Sequence, residues 1–169
     1  MRLFIAVPFH ETLKKPLLDI QEDFRRQGVR GNYTRPENLH LTLAFIGEYS
    51  DPEKIIKVLK AIKFRNFSLQ LDSLGSFGDL WWIGLKENRE LQNLVKDLRH
   101  RLADAGIPFD KKKFKPHITL IRRAEFSKDF NMNDVVVPNA SQNENCITLM
   151  QSTRGKNGMI YTELFTINI

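Results

Sequence analysis

Two segments of this chain, NLHLTLAFIG at positions 38–47 and KPHITLIRR at 115–123, repeat one alternation: histidine, an apolar residue, threonine, leucine. In an extended strand successive side chains point to opposite faces. His40 and Thr42 therefore share one face, about 6–7 Å apart along the strand, and Leu39, Leu41 and Leu43 share the other. His117 and Thr119 stand in the same relation to Ile118 and Leu120. Each segment must bury an aliphatic face while its polar pair looks elsewhere. A fold that satisfies this twice constrains the chain more than any bulk property.

Other segments supply the frame. RLFIAVPF at 2–9 reads as an opening strand that ends at a proline-containing turn. In residues 12–28, Leu13, Leu17, Ile20 and Phe24 recur at helical steps, with Thr12 as candidate N-cap and Gly28 as the stop. Pro16 suits only a first turn, so the start of this helix is expected a few residues late. Residues 29–38 read as a loop or weak strand. YSDPEKIIKVLKAI is a helix with Ser50 or Asp51 as cap, Pro52 in the first turn, and Ile55, Ile56, Leu59 and Ile62 as the buried stripe. FSLQLDSLGSF and LWWIGL form a hairpin around Gly78-Asp79. Residues 87–106 give the clearest helix, with Leu91, Leu94, Val95, Leu98 and Leu102 inward and His100 outward. Two more strands are expected at 146–152 and 160–168, joined by TRGKNG.

Strands and helices alternate with hairpins between them, which favours an α+β fold over a doubly wound parallel sheet. Each half offers a strand, an amphipathic helix and a His-x-Thr strand. No Gly-, Ser- or Pro-rich linker divides the halves. The expected architecture is one domain over residues 1–169. It has two pseudo-symmetric lobes, each an antiparallel-rich sheet with flanking helices, around a central cleft.

The 169 residues suffice for a substantial core. A net charge of +6 favours anionic partners such as nucleic acid or a phosphorylated substrate. The single cysteine, Cys146, excludes an intrachain disulfide and a cysteine metal cluster, and fits a reducing, cytoplasmic setting. It reads as core packing, not a nucleophile. None of the four histidines forms a close metal-type pair, and no run approaches the roughly 20 apolar residues of a membrane span. The basic-then-apolar start is read as mature fold, not as a leader.

A histidine amid leucines is costly unless its nitrogens are satisfied, and a single one is usually structural. Threonine alone is an ordinary strand residue. The duplicated pair favours chemistry. Two imidazoles facing one cleft can divide proton removal and proton donation between them. Two threonine hydroxyls on the same faces can donate to phosphate oxygens, so phosphoryl chemistry needs no metal here.

These motifs resemble those of the two-histidine phosphoesterase superfamily, and within it the RNA 2′,3′-cyclic phosphodiesterase family, also called 2′-5′ RNA ligase. MRLFIAVPF, RPENLHLTLAFIG, KFKPHITLIRR and LMQSTRGKNGMIYTELFTI resemble the family's blocks in the family's order. The resemblance implies opening of 2′,3′-cyclic phosphates on RNA ends to 2′-phosphates, with no cofactor and no metal. Its catalytic set is His40, Thr42, His117 and Thr119. His40 would be the acid that protonates O3′ and His117 the base that activates water. Reversal, with a 5′-hydroxyl in place of water, would join ends through a 2′-5′ linkage. The expected partner is an RNA end, with no membrane, no protein partner and a monomeric state. Substrate contacts would come from Arg122, which matches a family arginine, with Arg35, Tyr33 and Phe114 as further candidates. KKKFK at 111–115 could follow an RNA backbone. The chain departs from the family at Arg30–Asn32, where the family often has a tryptophan, and Tyr33 is the nearest aromatic. Two alternatives stand beside this reading. One is a non-catalytic RNA-binding protein that kept the cleft; the other is an enzyme acting on small cyclic nucleotide phosphates.

Overall fold

The computed structural model describes residues 1–169. Three α-helices and nine strands form an α+β fold with two antiparallel sheets. In chain order they are β1 (Arg2–Pro8), α1 (Glu11–Arg26), β2 (Arg30–Tyr33), β3 (His40–Glu48), α2 (Pro52–Ala61), β4 (Phe67–Phe77), β5 (Leu80–Leu85), α3 (Arg89–Asp104), β6 (His117–Glu125), β7 (Ser141–Glu144), β8 (Cys146–Gly155) and β9 (Gly158–Asn168). The first sheet has the order β3-β1-β8-β9 and the second β2-β6-β5-β4-β7. One apolar core runs through both, joining Leu3, Ile5 and Val7 of β1 to Ile83 of β5 and Ile118 of β6.

The helices follow their sequence stripes. Leu91, Leu94, Val95, Leu98 and Leu102 of α3 are all buried, and His100 stays outside, paired with Asp104. Asp51 caps α2 by accepting from the Lys54 amide at 3.3 Å. In α2 the stripe is Ile55, Val58 and Leu59, with Ile56 half-buried. The start of α1 differs from expectation. The helix begins at Glu11, Pro16 lies inside it, and the N-cap is His10 rather than Thr12. Pro16 removes the bond that would end on the Thr12 carbonyl. Complete burial of Leu13 and Leu17 on either side holds the turn in spite of that loss. The end of α1 is a Schellman motif: Gly28, at φ +79°, donates to Arg25 O, and Val29 donates to Phe24 O.

Two further differences concern strands. β7 was not expected, because SQNE has neither the β-branched residues nor the apolar alternation that marks a strand. The last hairpin is tighter than TRGKNG suggested, with only Lys156 and Asn157 in its turn.

The halves repeat in space. β1–α1–β3 and β5–α3–β6 have one construction, with two antiparallel neighbours joined through a sixteen-residue helix. Pro8 and Ala6 lie opposite His40 and Thr42; Gly84 and Trp82 lie opposite His117 and Thr119. The helices reach across between the halves: α1 packs on β6 and β7 of the second sheet, and α3 on β3 of the first as well as on β4 of its own.

Candidate active site

The His-x-Thr strands β3 and β6 meet between the sheets. On each, the apolar face enters the core as the alternation requires: Leu41, Leu43, Ile118 and Leu120 are buried, while His40, Thr42, His117 and Thr119 are half-buried. These four polar residues line one cavity of about 1050 Å³, together with Arg122 and Tyr161.

Both imidazoles are held in the same way. Nδ1 of His40 lies 2.6 Å from the Asn38 carbonyl, and Nδ1 of His117 lies 2.6 Å from that of Lys115. A carbonyl only accepts, so Nδ1 carries the proton in both rings and Nε2 is left for the cleft. In β3, Nε2 of His40 is 2.9 Å from Thr42 Oγ1. Aromatic rings flank each imidazole. Phe4 and Tyr161 stand 5.1 and 5.2 Å from His40, and Phe77 and Trp82 stand 5.3 and 5.8 Å from His117. The packing around His40 strips water from it and pushes its pKa below 6.5. The bond to Asn38 O opposes that shift, and the nearby charges of Arg122 and His117 reinforce it.

The remaining sequence candidates separate. Arg122 lines the main cavity and also an adjoining one of about 580 Å³, where Arg35 and Tyr33 lie. Arg35 is engaged by the protein itself, through the Met159 carbonyl and the Glu37 carboxylate. The Tyr33 hydroxyl donates to Val29 O at 2.7 Å, and its ring lies under Arg25. Phe114 lines neither cavity; it packs against the core beside Arg99. From KKKFK, Lys112 reaches the main cavity, and Lys115 lies over the Trp82 ring at 4.7 Å.

Sequence reasoning did not single out Tyr161, Asn38 or Arg154. Asn38 supplies the carbonyl for His40, and its side-chain amide ties that loop to Met159 O at 2.9 Å. Its signal was local, since it precedes the motif histidine by two residues, as Lys115 does. Tyr161 had no such signal, because only the β8–β9–β1 pairing brings it to His40.

No group of three or more His, Cys, Asp or Glu side chains is placed to hold a metal ion, and no helix is long and apolar enough to cross a membrane. The arrangement offers two ring nitrogens of one tautomer, two hydroxyls and a guanidinium around an open polar space. That set can hold an anionic tetrahedral group and move protons on either side of it.

Known proteins resemble this chain over most of its length. The RNA 2′,3′-cyclic phosphodiesterase of Thermotoga maritima is 29% identical over 98% of this chain and 94% of its own length. The Escherichia coli protein of that name is 38% identical over 73% of this chain and 72% of its own. The solved structure of TT0787 from Thermus thermophilus superposes with a TM-score of 0.83 at 27% identity, covering 99% of this chain and 97% of that one. The sequence model for LigT-like phosphoesterases matches residues 7–80 and 83–161, two segments with one His-x-Thr motif each. The chain belongs to the LigT-like phosphoesterase family.

Proposed function

We propose that this protein hydrolyses 2′,3′-cyclic phosphates at RNA ends to 2′-phosphates, without a metal ion. The observation that carries the reading is the pair of histidines, each with Nδ1 on a backbone carbonyl, lining one cavity with two threonines and Arg122. The names of relatives that match most of the chain supply the substrate class.

In the proposed reaction the cyclic phosphate sits between the strands. Thr42, Thr119 and Arg122 donate to its non-bridging oxygens. His117 Nε2 takes a proton from water as the water oxygen bonds to phosphorus. The P–O3′ bond breaks, and His40 Nε2–H protonates the departing oxygen. One water is consumed, and a 3′-hydroxyl and a 2′-phosphate remain. His117 then returns its proton to solvent and His40 takes one up. In the free cleft His40 favours its neutral form. Its proton is therefore taken up together with the anionic phosphate, whose charge offsets that of Arg122.

The test is an oligonucleotide ending in a 2′,3′-cyclic phosphate, incubated with EDTA and followed by phosphorus NMR. A 2′-phosphate product is expected. His40→Ala and His117→Ala should each lose about 10²–10⁴-fold in kcat, the range of a general acid or base. A substrate with sulfur in place of O3′ has a leaving group that needs no proton. It should restore His40→Ala and leave His117→Ala slow. The opposite rescue pattern would exchange the two roles, and turnover surviving both substitutions would refute the mechanism. Tight RNA binding without turnover by the unsubstituted protein would make it a binding protein.

A further inference from the structure

The two motif strands share an irregularity. In β3, Ile5 pairs with Ala44 and the next residue, Ala6, pairs with Thr42, so Leu43 has no partner. In β6, Trp81 pairs with Ile121 and Trp82 with Thr119, so Leu120 has none. Each is a β-bulge at the residue directly after the motif threonine. Both bulged side chains are fully buried. A bulge bends its strand and re-aims the neighbouring side chains, and it leaves a backbone group without a ladder partner.

A helix of the opposite half donates to the carbonyl of the bulged residue in each case, alone at Leu43 and beside the Thr34 amide at Leu120. Gln21 of α1, buried, donates from Nε2 to Leu120 O at 2.9 Å and to Thr34 O at 2.8 Å. Arg99 of α3 donates from Nε and Nη2 to Leu43 O at 3.3 and 3.2 Å, and from Nη1 to Lys112 O at 2.6 Å. Gln21 and Arg99 are both the eleventh residue of a sixteen-residue helix. They occupy equivalent places in the repeated unit and grip equivalent atoms, each across the boundary between halves.

We infer that Gln21 and Arg99 are positioning residues. Each holds the bulge behind one His-x-Thr pair, Gln21 behind His117 and Thr119 and Arg99 behind His40 and Thr42. A strand held by its own sheet alone could rotate its polar face. The bond from the opposite half ties the aim of each pair to the half that carries the other pair. Arg99 matters most to this arrangement, because β3 is an edge strand and Leu43 O has no neighbouring strand on its open side. Leu120 O keeps the Thr34 amide when Gln21 is removed. The assignment of both residues to catalysis rests on the proposed function; the effect on ring geometry does not.

The test compares Gln21→Leu and Arg99→Met by imidazole NMR and by kinetics on a cyclic mononucleotide. The expected ring signature is crossed. Gln21→Leu should shift the His117 resonances and spare those of His40, and Arg99→Met should do the reverse. kcat should fall between about tenfold and a hundredfold, as a small misplacement of reacting groups predicts, with KM little changed. The loss should be larger for Arg99→Met, and Arg99→Lys, which keeps a donor, should recover part of it. If Arg99→Met does not fold, Arg99→Lys and Gln21→Leu carry the same crossed readout. Unchanged rings, equal shifts of both rings in each variant, or a lower Tm with normal kcat well below it would overturn the inference. If the crossed shifts occur and the unsubstituted protein turns over no cyclic phosphate, the proposed activity fails and the positioning stands.

Discussion

His40 and His117 have one tautomer and one kind of backbone partner, yet their surroundings differ. His40 is enclosed by Phe4 and Tyr161 beside Arg122, and its pKa lies below 6.5; Phe77, which flanks His117, is itself exposed. In a ring-proton titration of the free protein, the His40 midpoint is expected below 6.5. It should rise in Arg122→Ala, because a neighbouring positive charge is gone, and rise again on addition of inorganic phosphate. A midpoint at or above 6.5 would show that desolvation is not the dominant effect. The sign for stability follows. As pH falls from 6.5 towards the folded midpoint, the unfolded chain binds the proton at this site and the folded chain does not. Stability at this site is thus complete above 6.5 and lost through that window. The alternation alone placed His40, Thr42, His117 and Thr119 on the correct faces. Phe114 sits among lysines, where sequence leaves a base contact and a buried side chain equally open; the fold packs it against the core.

Among elements, legibility followed the strength of the apolar pattern. α3 carries five core residues at helical steps and was readable almost to the residue. α1 was readable in its stripe and misread at Pro16, because the burial that outweighs a missing hydrogen bond is a tertiary property. β7 is polar throughout and gains strand form only from β4 beside it. The bulges left a trace in the sequence: Leu43-Ala44 and Leu120-Ile121 each break the alternation with two adjacent buried residues. The β4–β5 hairpin sets the wall behind His117. A Cβ at Gly75 would lie 2.2 Å from Trp82 Cη2, so the buried Trp82 ring or the backbone of the hairpin must shift to admit it. Gly75→Ala should cost about 1–3 kcal/mol, the usual range for overpacking. It should also displace the ring that borders His117, lowering kcat. Chemical denaturation and steady-state kinetics on the same variant check both. Unchanged stability would mean that the hairpin opens to admit the methyl group.

For the whole molecule, the net charge of +6 is a long-range attraction for a polyanion. Raising salt from about 0.05 to about 0.5 M should lower kcat/KM on a cyclic-ended oligonucleotide by roughly tenfold or more. The loss should be smaller on a cyclic mononucleotide, which presents a single phosphate. Equal losses would place the salt effect inside the cleft. The repeated strand–helix–strand pattern was visible in the sequence, but the reach of each helix across the halves was not, since both packings bury the same stripes. A unit whose helix serves its neighbour is incomplete by itself: alone, it would expose one bulge carbonyl and hold a helix with nothing to grip. Two such units complete one another, each lending a helix side chain to the other's bulge and receiving one. That is the closed, self-complementary bond of a symmetric dimer, written here into one continuous chain.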